Sequence, residues 1–140
     1  MINLSFDYSA LSRELDALVE SAKEGVRPAA QAGAQVFYDE MRLRVPVSGR
    51  KHKARGKWYE PGNLQRAIYQ AFADSESTEG RAVYRISVNK EKAFYWHMVE
   101  FGTPHAAAQP YIRPTFDAAE GRALKAAEDN MFDHLRKVLP

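Results

Sequence analysis

The chain has 140 residues, no cysteine, and 20 Lys and Arg against 18 Asp and Glu, a net charge of +2. That length suits one domain with its own core, and the missing thiols exclude a disulfide framework and any cysteine zinc site. Nearly balanced charge argues neither for nor against nucleic acid, so only local clusters of cations can speak to it.

No apolar run approaches the roughly 20 residues of a membrane helix. The opening MINLSFDYSAL has no basic n-region and acids follow soon, which argues against a secretory signal. Ile2, Leu4 and Phe6 alternate, so Met1–Asp7 reads as a small edge strand. Ser9 reads as an N-cap. Leu11, Leu15, Leu18, Val19 and Ala22 then recur at helical spacing, predicting a helix over Tyr8–Lys23 that ends near Gly25. Arg27-Pro28 restarts a second helix, with Pro28 in a first turn that tolerates it. Ala29, Gly33, Val36, Phe37 and Met41 form its stripe, and small residues there permit close approach of another element. Pro46 stops this helix after Arg44.

Val45–Glu60 contains two glycines and a proline and reads as a mobile loop. Arg50, Lys51, Lys53, Arg55 and Lys57 are five cations against the single acid Glu60, so the loop repels itself until it meets an anion. Trp58 and Tyr59 adjoin them. Cations beside aromatics fit a protein partner, because Trp, Tyr and Arg dominate interface hot spots. They also fit nucleic acid, where cations meet phosphate and rings stack on bases. A protein partner ranks first, a plain solvated loop second, and specific nucleic-acid recognition third.

Pro61-Gly62 is a turn, and Asn63 is placed to cap a short helix over Leu64–Tyr69. Gln70–Ala73 begins a strand, Asp74–Gly80 is a polar turn, and Arg81–Asn89 alternates as the clearest strand in the chain. Tyr95, Met98 and Val99 share a helical face, so Ala93–Phe101 reads as a short helix ended by Gly102 in the left-handed conformation. His105–Gln109 is an exposed loop. A long helix follows from Arg113-Pro114, with Phe116, Ala119, Ala123, Leu124, Ala127, Met131, Leu135 and Val138 as its apolar stripe. The expected architecture is α+β: a small, mostly antiparallel sheet packed against two N-terminal helices and a long C-terminal helix, in one domain over 1–140 with a basic loop at 46–62.

Chemistry-bearing patterns are sparse. His97, Glu100 and His105 do not make the H-E-x-x-H zinc motif, and the simpler reading is a half-exposed histidine and a helix-end carboxylate. Ser48-Gly49-Arg50-Lys51 lacks phosphate-loop spacing. No nucleophile elbow is present, and adjacent acids such as Asp39-Glu40 diverge on a helix. The expectation is a protein that is not an enzyme, with no cofactor, no metal and no membrane association. Glu100 and Arg113 flank the Gly102–Pro110 loop, and a two-pronged guanidinium–carboxylate pair between them would tie its ends. Two independent surface charges are the alternative.

Two motif groups carry a family resemblance. The first is Val45-Pro46-Val47-Ser48-Gly49 followed by Pro61-Gly62-Asn63-Leu64-Gln65-Arg66-Ala67-Ile68. The second is Tyr95 ahead of Val99-Glu100-Phe101-Gly102-Thr103, then Pro110-Tyr111-Ile112-Arg113-Pro114. Their order and approximate spacing resemble the head–tail joining or tail-completion family of long-tailed bacteriophages, the gene-product-ten-like minor tail proteins. The chain departs from the family pattern by an extra basic segment between Ser48-Gly49 and Gly62-Asn63, and by Thr115 where the family often has Ala. The resemblance implies a phage or prophage structural protein that acts by assembly: a subunit of a hexameric ring at the head–tail junction. Its partners would be other copies of itself and neighbouring head-connector or tail proteins, with non-specific contact to passing DNA. It would reside in the host cytoplasm during assembly and in the virion afterwards.

Overall fold

The computed structural model describes residues 1–139, and its longest element is a single helix where the sequence suggests two. Helix α1 runs unbroken from Ser9 to Arg44 with Pro28 inside it. A proline in a helix interior removes one hydrogen bond and costs about 3 kcal/mol. Helix α4, Ile112–Leu135, offsets that by packing along α1 on both sides of Pro28. A Cβ on Gly25 would lie 3.0 Å from the Met131 sulfur, and one on Gly33 would lie 3.1 Å from the Ala123 carbonyl oxygen. Glycine at both positions therefore lets the two backbones approach closely. Buried Ala29 and Ala34 continue the small face of α1, and buried Ala119 and Ala123 that of α4. The expected α4 stripe is displaced: Thr115 is buried, whereas Leu124 and Phe116 are exposed, with Phe116 stacked on Phe37 at 5.8 Å.

Met1–Asp7 is not a strand. Ile2, Leu4 and Phe6 are 96, 96 and 82 % exposed, with no neighbouring strand to pair with. Ser9 is not the cap either. Its own N–H donates to the Asp7 carboxylate at 2.9 Å, which holds the Asp7 carboxyl below its ordinary range.

Val45–Glu60 is more ordered than its composition suggests. His52–Ala54 (β1) and Lys57–Tyr59 (β2) form an antiparallel hairpin with His52 opposite Tyr59 and Lys53 opposite Trp58. The turn is Arg55-Gly56, both at positive φ (49° and 77°), the geometry two-residue hairpins favour. Arg-Gly is a weak turn signal because arginine rarely adopts positive φ. Here the Arg55 guanidinium lies 4.0 Å above the Phe94 ring, which holds the turn.

Helix α2 is Asn63–Ala67, followed by β3 (Ile68–Phe72), a 3-10 turn at Asp74–Glu76, and β4 (Tyr84–Val88). Strands β3 and β4 pair antiparallel, Ile68 with Val88 through Phe72 with Tyr84, and lie against α1. Arg27 fastens the far end of this ribbon: its guanidinium sits 4.0 Å over Phe72 and its Nε donates to the Tyr84 hydroxyl. The architecture is α+β, with two two-stranded antiparallel sheets instead of one. The core lies where the C-terminal end of α1 meets α2, β3, β4 and the start of α4. It comprises Met41, Val45, Leu64, Ala67, Ile68, Val88, Ala93 and Tyr111. Helix α3, Trp96–Phe101, closes it through the half-buried Trp96 and Val99.

Candidate functional site

The second motif group resolves into one buried knot built on a carboxylate. Glu100 is 7 % exposed at the end of α3. One carboxylate oxygen accepts from the N–H groups of Tyr111 at 2.6 Å and Ile112 at 2.9 Å, and the other accepts from Arg113 N–H at 3.2 Å. These are the orphan donors at the start of α4. Pro114 has no N–H to satisfy, and Thr115 N–H already donates to the Tyr111 carbonyl. Every donor of the first turn is thus accounted for. The helix dipole also favours a negative charge there. The expected Glu100–Arg113 side-chain pair is absent. Glu100 does tie the ends of the 102–110 loop, but through backbone amides, leaving the Arg113 side chain exposed.

The neighbours of Glu100 serve the same knot. Tyr111 is fully buried, and burial foremost, then the Glu100 carboxylate and Tyr95, push its phenol above the ordinary tyrosine range. The Thr115 hydroxyl donates to the Tyr111 carbonyl at 2.5 Å, a use for the threonine that an alanine could not supply. Gly102 has φ 76° and ψ 175°, positive as expected but extended rather than left-handed helical. A Cβ there would lie 2.7 Å from the Ala108 nitrogen, so glycine is required by space as well as by φ. Thr103 bridges to Ala106, and Gln109 N–H donates to the Val99 carbonyl. Pro110 is exposed beside the knot. Phe101, in the middle of the motif, is 76 % exposed and adds nothing to the core.

The first motif group makes the opposite wall of a cleft. Gly62, at φ 77°, is the N-cap of α2. The Asn63 side chain does not cap: its amide donates to the Lys92 carbonyl at 2.8 Å and the Tyr95 hydroxyl at 3.1 Å. Asn63 thereby pins α2 to the segment before α3, while Leu64 is buried beneath it. Between α2, α3, the 102–110 loop and the residues just after α1 lies a cavity of about 580 Å³. Val47, Leu64, Met98, Val99 and Ala107 supply apolar walls, and His52, Glu60 and Gln109 polar ones.

The hairpin stands at the mouth of this cleft, and its period-two alternation divides the basic set. Tyr59 points inward, 9 % exposed, with His52 stacked on it at 5.4 Å and Tyr95 and Phe94 edge-on at 5.5 and 6.1 Å. Tyr59 is therefore a staple for the hairpin. Trp58 points outward, 62 % exposed, with the Lys51 and Lys53 ammonium groups 5.7 and 5.9 Å from its ring. Lys51 also reaches Glu60 at 4.0 Å. Arg50, Lys53, Arg55 and Lys57 have no carboxylate partner among the described residues. His52 was missed by composition alone, although the alternation that places it beside Tyr59 is present in the sequence. The structure does not gather His97, Glu100 and His105. Glu100 spends its oxygens on amides, both histidines are exposed, and among the described residues no three such side chains converge to hold a metal.

A family of known proteins covers most of the residues that line this cleft. The family described as "Bacteriophage HK97-gp10, putative tail-component" matches residues 9–102. The chain belongs to this gp10-like family. No curated protein and no solved structure matches it. The match spans α1, the hairpin, α2, both strands of the ribbon and α3 through Gly102, whereas the cleft residues Thr103, Ala106, Ala107 and Gln109 lie beyond it. Among the described residues no helix is long and apolar enough to cross a membrane.

Proposed function

We propose that this gp10-like protein is a virion component at the head–tail junction, a subunit of a ring that completes the tail or joins it to the head connector. It acts by protein–protein contact and not by chemistry on a substrate. Membership of a phage tail-component family carries this reading. The surface chemistry supports it: an exposed tryptophan with two ammonium groups near its ring, on a hairpin beside a mainly apolar cleft, is suited to a partner surface. The hexameric count follows from the resemblance in sequence motifs, and closed rings arise when head-to-tail contacts rotate into closure.

The test is charge reversal on the hairpin, Arg50→Glu with Lys51→Glu and Lys53→Glu, introduced into the phage or prophage. The expected outcome is a folded protein and particles that fail to join heads to tails. Normal yields of infectious particles would overturn the role of this surface.

A second reading has one observation in its favour. Trp58 with Lys51 and Lys53 could stack on a base and meet phosphate at once, so the hairpin could contact DNA passing through the ring or bind nucleic acid in its own right. An affinity for DNA that falls steeply with salt and is lost in Trp58→Ala would favour it.

A further inference from the structure

We infer that the N-terminal arm of one copy docks on the cleft and basic hairpin of the next copy, head to tail. This deepens the ring reading and rests on it.

Most of the arm, up to Asp16, is exposed and has no packing partner among the described residues. The end of α4 and the residues after it reach α1 as far towards the N-terminus as Ala17: His134, Lys137 and Val138 face Ala17, Glu20 and Ser21, and the Ser21 hydroxyl donates to the His134 carbonyl. Every residue from Ser9 to Ala17 is exposed. On that free end Leu11, Leu15 and Val19 form one stripe, each about half exposed at 51, 53 and 52 %. Ile2, Leu4 and Phe6 precede it, fully in solvent. Covering these six side chains would remove apolar surface from water, a driving force that the isolated chain leaves unused. The arm is also acidic: Asp7, Glu14 and Asp16 stand against Arg13, while Glu20 pairs with Lys23 at 2.9 Å. Helical geometry sets Glu14 and Asp16 on either side of the stripe.

The cleft offers the complement. Its lining is mainly apolar, with His52, Glu60 and Gln109 as polar groups, and the hairpin beside it carries Arg50, Lys53 and Lys57, which have no carboxylate partner among the described residues. An apolar stripe edged by acids fits a mainly apolar cleft that adjoins a basic hairpin.

Distance decides whose arm it is. The cleft begins at Pro46, just past the C-terminal end of α1, and the arm leaves from its N-terminal end. A helix of 36 residues is about 54 Å long. Met1–Tyr8, fully extended, spans at most about 28 Å. The arm therefore cannot return to its own cleft. A second copy can supply the cleft, and each copy then gives an arm at one end and receives one at the other. Such a contact is heterologous, the kind that builds a ring.

The test uses two full-length variants, Leu11→Asp with Leu15→Asp in the arm and Val47→Asp with Met98→Asp in the cleft. Light scattering of wild-type protein at low salt should show assemblies larger than a monomer, and each variant alone should be monomeric. An equal mixture should form a one-to-one dimer and nothing larger, because only one joint is intact. Circular dichroism checks folding; the two leucines are exposed, so the arm variant should fold as wild type. If the cleft variant fails to fold, Arg50→Glu with Lys53→Glu replaces it, and assembly should return when Glu14→Lys and Asp16→Lys are placed in the same chain. Wild-type protein that stays monomeric, an arm variant that assembles normally, or a mixture that stays monomeric would overturn the inference. None of these would overturn the tail-assembly reading, which is judged in particles by the hairpin charge reversal.

Discussion

The Glu100 knot and the basic hairpin lie on the two sides of one cleft and use their charged groups in opposite ways. Glu100 is buried and each of its oxygens is taken up by a backbone amide of the same chain. The hairpin holds an exposed indole and several cations that have no carboxylate partner among the described residues. A charge satisfied inside the fold stabilises that fold. A charge left open on a rigid support is available to a partner. The two sets of motif residues thus divide by chemistry into one that makes the domain and one that it presents.

Four perturbations would break or sharpen that contrast. Glu100→Ala should have the largest effect on stability, because it strands three buried or half-buried amides at the start of α4. The loss should be about 3 kcal/mol or more in urea unfolding. Glu100→Gln, which keeps an acceptor, should fall between. A loss below about 1 kcal/mol for the alanine variant would mean that water replaces the carboxylate.

Gly102→Ala comes next. It forces a side chain into positive φ and against the Ala108 nitrogen, with an expected loss of about 1–3 kcal/mol in the same assay. Wild-type stability would show that the 102–110 loop shifts freely.

The third concerns pH. Hydrogen bonds from Arg122 and then Arg44 hold the Glu40 carboxyl below its ordinary value of 4.5. A carboxyl with a lowered folded-state value stabilises the fold above its unfolded value and loses that contribution as pH falls through the folded one. Arg122→Gln should therefore flatten the acid limb of a melting-temperature profile taken between about pH 3 and about pH 6. The effect should be modest, since Arg122 is exposed. An unchanged profile would show that Arg44 suffices.

The smallest stability change should come from the hairpin. Lys53→Glu should alter unfolding by no more than about 0.5 kcal/mol, as surface substitutions usually do. A larger loss would mean that the hairpin, like the knot, is mainly structural.

Much of the fold is legible in the chain. The alternation of Tyr84, Ile86 and Val88 predicts β4, and the spacing of Ala119, Ala123 and Ala127 predicts α4. The order of the motifs points to the gp10-like family, and the five cations mark the hairpin as a surface of interest. Pro28 misleads, because local propensity favours a helix boundary there and only the flank of α4 outweighs it. Arg55-Gly56 misleads in the same way. Its turn depends on Phe94, which lies 39 positions away.

Local pattern determined where strands and helices lie, which faces are apolar, and which residue types crowd each motif. That is so because periodicity and backbone preference act over a few neighbouring positions. Tertiary structure alone decided that Glu100 would meet three amides instead of a guanidinium, and that Tyr59 would turn inward while Trp58 turned out. It also set arm and cleft at opposite ends of one long helix. Each of these depends on groups far apart in the chain, and their meeting is governed by the packing of whole elements.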